Sequence, residues 1–188
     1  MIKQASVMAA ILFCRPTLAP TTANAYAKTI VERSAKIGID PLLVVAIADH
    51  ESGWLEGAVS KDREDHGLGQ IRARYRAACA KDSNPVYAPS AACAAEKKKL
   101  LDGSYNLGAA FDAIEAWMTV CKQKTGSAGE TSWLNAYSGL NRPKQGKWCG
   151  MQVTGGKVVD TLPIHSVVKA FQARRRALRL RLEALPPS

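Results

Sequence analysis

Asp40-Pro41-Leu42-Leu43-Val44-Val45-Ala46-Ile47-Ala48-Asp49-His50-Glu51-Ser52-Gly53 begins on a helix-capping aspartate, continues through an unbroken apolar run and ends on a carboxyl group. Asp40 suits an N-cap, Pro41 the first helical position and Gly53 a stop just past the end, so the spacing predicts a helix over 41–51. Its middle has no polar face, which means burial on all sides. Glu51 has Ile47 one turn before it and Ala48 on the adjacent row. Burial and the helix C-terminus both disfavour its charged form and push its pKa upward. Asp49 and His50 lie off that face, as surface or packing residues.

Outward from this helix the chain reads as helical, with no period-2 strand pattern. Residues 26–37 form a helix ending at Gly38, and 56–65 a polar, charged loop leading to Gly67. Residues 90–101 form a helix with Lys97 to Lys99 at one end. From Asn106 onward Leu107, Ala110, Phe111, Ile114 and Cys121 recur at helical spacing, the stripe of a core helix ended by Gly126 and Gly129. Residues 131–137 make another short helix, and 141–157 read as a loop that Cys149 tethers. The last helix, 164–185, has Val167, Phe171, Leu178, Leu182 and Leu185 on one face and Arg175, Arg176, Arg179 and Arg181 on its flanks, and is expected to dock on the body. Trp54 and Trp133 read as core, and Trp148, in the loop, as the better candidate for stacking on a ligand.

At 188 residues and 47% hydrophobic composition the chain can bury one real core. Residues 1–25 read as a secretory signal: Lys3 gives a basic start, Ala5 to Phe13 a short apolar stretch, and Ala23-Asn24-Ala25 a cleavage site before Tyr26. That stretch is too short to span a bilayer, so no integral segment remains after cleavage. Cys14 is not read as a lipid attachment site, because Phe13 stands where a small residue is needed. Cleavage leaves Cys79, Cys93, Cys121 and Cys149, an even set in an exported chain, and two disulfides are expected. Three pairings exist, of which Cys79 with Cys93 and Cys121 with Cys149 close the shorter loops. A zinc site has no support, since there is no CxxC pair and the three histidines are scattered. The net charge of +10 points to an anionic partner outside the cytoplasm. Cell-wall glycan bearing peptide carboxylates fits, as do anionic lipid head groups; nucleic acid does not, for want of any aromatic-basic motif.

A carboxylic acid protonated near neutral pH is what protonating a glycosidic oxygen requires. Glu51-Ser52 is followed by Ala58, Ser60 and Gly67-Leu68-Gly69-Gln70-Ile71. Further on stand Asn106-Leu107-Gly108-Ala109, and then Trp133 with Ala136-Tyr137-Ser138-Gly139. These four segments, in order over about residues 38–140, resemble the signature of the SLT-type lytic transglycosylases, relatives of goose-type lysozyme that cut bacterial peptidoglycan. Asp65-His66-Gly67 is similar to the small secretion- and conjugation-associated branch. The resemblance implies an all-α, lysozyme-like single domain over 26–188, located in the periplasm or secreted. It implies no cofactor, with peptidoglycan strands as substrate and secretion or conjugation machinery as a partner. By the same resemblance Glu51 is general acid and then base on the muramic acid 6-hydroxyl. Ser52 supports the acid or the acetamido group, Leu68, Gly69 and Gln70 bind sugar, Asn106 orients the pocket and Tyr137 touches the acid.

The sequence departs from the pattern in three places. Gly69 replaces a Met that packs near the sugar, Ser138 replaces an Asn, and Arg72-Ala73-Arg74-Tyr75 is unlike the usual continuation. Arg72 and Arg74 are candidates to meet peptide carboxylates or to form a solvated face. Two other functions stay open at this point. One is a lysozyme-type hydrolase in which a loop carboxylate, with Asp65 the candidate, activates water. The other is a non-catalytic wall-binding or secretion-assembly protein that uses its basic surface.

Overall fold

Helix α3 (Pro41–Ser52) forms where the capping pattern placed it. Asp40 accepts a hydrogen bond from the Leu42 amide at 3.0 Å, and Gly53 stops the helix in the left-handed region at φ 58°. The computed structural model describes residues 2–184. Within them the chain forms two compact units, one holding the residues up to Ala110 and from Arg174 onward, the other Phe111–Ala173.

In the first unit, α1 (Gln4–Cys14) packs on α2 (Pro20–Ile37) and on α3. Every residue from Leu42 to Ala48 is buried, and α1 adds Val7, Ala10 and Ile11, α2 Ala23, Ala27 and Ile30 to the same core. Full burial of a Leu or Ile side chain contributes about 1.5–3 kcal/mol, so this run is the main apolar anchor of the unit. The small residues Ala23-Asn24-Ala25 lie inside α2, which begins at Pro20 and ends at Gly38. Strands β1 (Asp65–His66) and β2 (Ile71–Arg72) form an antiparallel hairpin with Asp65 opposite Arg72 and His66 opposite Ile71. The short helix α4 (Ala91–Lys99) is capped by Ser90 and joined to the segment after β2 by the Cys79–Cys93 disulfide. The unit also takes the first turns of α5 (Gly103–Thr125) and the last turns of α7 (Ser166–Glu183).

The second unit holds the rest of α5, α6 (Glu130–Tyr137), the start of α7 and a three-stranded antiparallel sheet of β3 (Lys147–Trp148), β4 (Met151–Thr154) and β5 (Lys157–Thr161). This sheet corrects the expectation of a loop over 141–157 and of helices throughout. Gly155 and Gly156 both take positive φ, 57° and 77°, and join Thr154 to its partner Lys157 as a two-residue turn whose twist matches that of paired strands. The Cys121–Cys149 disulfide fastens the turn between β3 and β4 to α5. Both bridges follow the shorter-loop pairing. Gly150 takes φ 76°, which favours glycine, and a side chain there would stand 2.3 Å from the Asn135 amide nitrogen and push that side chain of α6 aside. Trp148 sits in a strand, not a loop, with the Lys124 ammonium 5.3 Å from its ring centre. Trp133 is core, as is Trp54 in the first unit. On α7 the buried apolar residues are Val168, Phe171 and Leu178; Leu185, expected on the same face, lies outside the described residues. Among the described residues no helix is long and apolar enough to cross a membrane.

Candidate active site

Glu51 occupies the last turn of α3, where the buried run meets the surface. Burial first, and the negative charge of Asp65 second, raise its pKa to about 7. The helix around it is closely fixed. Ser52 Oγ donates to the Ala48 carbonyl at 3.0 Å and accepts from the Trp54 amide at 3.1 Å, while Gly53 and Trp54 both take positive φ. Trp54 stacks on Tyr26 with ring centres 6.1 Å apart, and the Tyr26 hydroxyl donates to Glu56. Asp49, two residues before the acid, is paired with Arg174 of α7, whereas His50 is exposed.

The β1–β2 hairpin carries the second carboxylate. Gly67 (φ 73°) and Gln70 (φ 47°) turn the chain between the strands, and the Gln70 amide bonds the Gly67 carbonyl at 3.1 Å. Asn106, fully buried at the start of α5, holds this turn and the end of α4 with three of the four hydrogen bonds its side chain can make. Its oxygen accepts from the Gly69 amide at 2.7 Å, and its nitrogen donates to the carbonyls of His66 and Leu100, both at 2.8 Å. A side chain at Gly67 would come within 2.2 Å of that nitrogen, so the glycine is required by close approach as well as by φ. Leu68 is fully buried, and Gln70 is part-buried with its amide nitrogen donating to the Gly67 carbonyl at 2.9 Å. His66 is also buried, and that burial lowers its pKa.

Of the residues singled out in the sequence, the first unit thus brings Glu51 and Ser52 at the end of α3 beside Asp65, Leu68, Gly69 and Gln70 of the hairpin, with Asn106 at the start of α5 bonded to the hairpin turn. Tyr137 is the last residue of α6 in the second unit and is half-buried. Arg72 and Arg74 meet acids of their own chain. Arg72 holds Asp65 through two bonds, at 2.9 and 3.1 Å, and Arg74 holds Glu64 at 2.7 Å. The Asp65–Arg72 pairing was not read from the sequence, although both residues flank Gly67-Leu68-Gly69-Gln70, a turn that sets them opposite each other once it is taken as a hairpin. Among the described residues no group of three or more His, Cys, Asp or Glu stands together as a metal site. A cavity of about 450 Å³ lined by Val31, Ser34, Ile39, Asp40 and Arg179 includes none of these site residues.

The first unit thus sets a protonatable carboxyl at the end of its most buried helix with a small hairpin beside it, and the family that the chain matches is lysozyme-like in fold. The chain belongs to the transglycosylase SLT domain family, whose model matches residues 28–141, more than half of its length. The matched stretch covers α3, the hairpin, Asn106 and α6, and it runs across the boundary between the two units. Membership carries a peptidoglycan-acting function of the lytic transglycosylase type. No curated protein and no solved structure matches the chain.

Proposed function

We propose that the protein cleaves the β-1,4 bond between N-acetylmuramic acid and N-acetylglucosamine in peptidoglycan, leaving a 1,6-anhydro end, with Glu51 as the catalytic residue. The observation that carries this reading is the setting of Glu51 at the buried end of α3, where its pKa is raised to about 7. A carboxyl so placed holds a proton at neutral pH and can deliver it to the glycosidic oxygen as the bond to C1 breaks. The carboxylate that results then takes the proton of the 6-hydroxyl as that oxygen closes onto C1, and Glu51 is again protonated. No water enters the products. Ser52 keeps the acid's helix end in place, Asn106 holds the hairpin, and Gln70, half-buried after the buried Leu68 and Gly69, is the turn residue that meets sugar.

The hydrolase reading has one observation in its favour: Asp65 is close enough for its charge to act on Glu51. A general base there would add water to C1 and leave a reducing end. The mass of the products released from purified peptidoglycan separates the two, because an anhydro end is lighter by one water. Glu51→Gln is expected to lower release by a hundredfold or more, on the order of what a positioned general acid contributes. Wild-type activity should decline above about pH 7, where Glu51 loses the proton it must donate. Undiminished lysis by Glu51→Gln would sink the mechanism, whereas binding of sacculi without release by the wild type would leave a wall-binding protein. An extracytoplasmic location, reached through the signal at residues 1–25, is part of the proposal. It is supported by the two disulfides and by a substrate found outside the cytoplasm.

A further inference from the structure

The arginine that follows the Gly67–Ile71 motif has no part in the reaction proposed above, yet its geometry is specific. Arg72 stands directly across the hairpin from Asp65, so the two side chains share one face of the strand pair. The guanidinium engages both carboxylate oxygens, Nε to Oδ1 at 2.9 Å and Nη2 to Oδ2 at 3.1 Å. This is the fork-to-fork arrangement that Arg forms and Lys does not. Asp62 and Glu64 stand farther from the same guanidinium, at 3.8 and 4.0 Å. Asp65 receives a third fixed element through its backbone, which exchanges hydrogen bonds with Ser60: its amide donates to Ser60 Oγ at 2.9 Å and its carbonyl accepts from the Ser60 amide at 3.0 Å.

Stability does not account for the pair. Arg72 is 40% exposed and a cross-strand charge pair at such a site contributes only about 0.2–1 kcal/mol. The chemistry of Asp65 is affected far more. A carboxylate activates water by accepting its proton on a free lone pair directed at it. The fork takes one lone pair of each Asp65 oxygen and fixes the direction of the carboxylate, so that it is not free to turn toward a water.

We propose that Arg72 is a positioning residue that withholds Asp65 from water, so that the oxocarbenium-like centre is captured by the 6-hydroxyl and not by hydrolysis. The proposal rests on the transglycosylase reading and adds to it a determinant of product. With the arginine gone, water bonds to C1, its proton passes to Asp65, and the glycosidic oxygen leaves with the proton of Glu51. The product is then a hydrated reducing end.

The test digests purified peptidoglycan with the full chain and measures the ratio of anhydro to hydrated ends by mass. Arg72→Met removes the fork while keeping much of the length, and is expected to raise the hydrated share on the order of tenfold. Adding Asp65→Asn to that variant should return the ratio to the wild-type value, a rescue that general loosening of the hairpin would not give. Arg72→Lys keeps the charge without the fork and should shift the ratio the same way by less; it serves if Arg72→Met does not fold. A wild-type ratio in either folded Arg72 variant overturns the proposal, as does a raised hydrated share that Asp65→Asn leaves in place. Wild-type digests holding hydrated ends only would instead refute the parent transglycosylase reading, and the withholding of Asp65 with it.

Discussion

Glu51 carries a cost that can be measured without substrate. Its neutral form is favoured in the fold, since its pKa rises from 4.5 to about 7. The folded state therefore holds a proton that the unfolded state releases across that interval, and stability falls as pH rises from about 4.5 to about 7, then levels. The loss is on the order of 3 kcal/mol, about 1.4 kcal/mol for each pH unit of that interval. Glu51→Gln cannot ionise, so its melting temperature should exceed that of the wild type by more at pH 8 than at pH 4. A difference that does not change with pH would mean that Glu51 is not held neutral. Asn106 offers a second measurement. Asn106→Ala leaves the Gly69 amide and the carbonyls of His66 and Leu100 without their partner. Each unpaired buried group costs about 1–3 kcal/mol, so chemical denaturation should register a loss of several kcal/mol. Water entering the gap would reduce that loss, and a loss under about 1 kcal/mol would show that Asn106 does not hold the turn.

Elements were legible in proportion to the length of their apolar pattern. Helix α3 and the core stripe of α5 follow from residue spacing, since a long buried run dictates both period and burial. The two sheets were not legible, because strands of two to five residues are too short for alternation to stand out. Their turns were the better signal. Gly155-Gly156 lies between Val153-Thr154 and Lys157-Val158-Val159, a two-glycine turn with β-branched residues on both sides. At the site, Glu51 was visible as an acid at the end of an apolar helix, while the occupation of Asp65 by Arg72 depended on seeing the hairpin. Asn106 was expected to orient the pocket; what the structure shows is a side chain bonded to the backbone of Gly69, His66 and Leu100.

The whole chain carries a formal charge of +10 against a wall polymer rich in carboxylates. Sixteen of the 26 basic side chains are balanced by acids, some in direct pairs: Arg72 and Arg74 with the loop acids, and Arg179 with Asp40. The remainder should steer the protein to its substrate, so binding to purified sacculi is expected to weaken as salt is raised from low to physiological concentration. Salt-independent binding would remove charge from the account of recognition. The export signal is tested by the intact mass of protein collected outside the cytoplasm, which should begin at Tyr26. A mass that retains Val7 and Ile11 would keep α1 as part of the working domain, packed on α2 and α3 as described.

The burial of α3 also has a consequence for how such a protein can diversify. Seven consecutive residues, Leu42 to Ala48, are buried, so nearly any replacement there is felt in the packing. From Leu55 to Ser60 the chain alternates between exposed and half-exposed positions, and Lys61 to Arg63 are all exposed, so no comparable burial constrains this stretch. Variation among descendants of this chain should therefore collect in the loop beside the acid, allowing substrate preference to drift while the helix that carries the acid stays nearly unchanged.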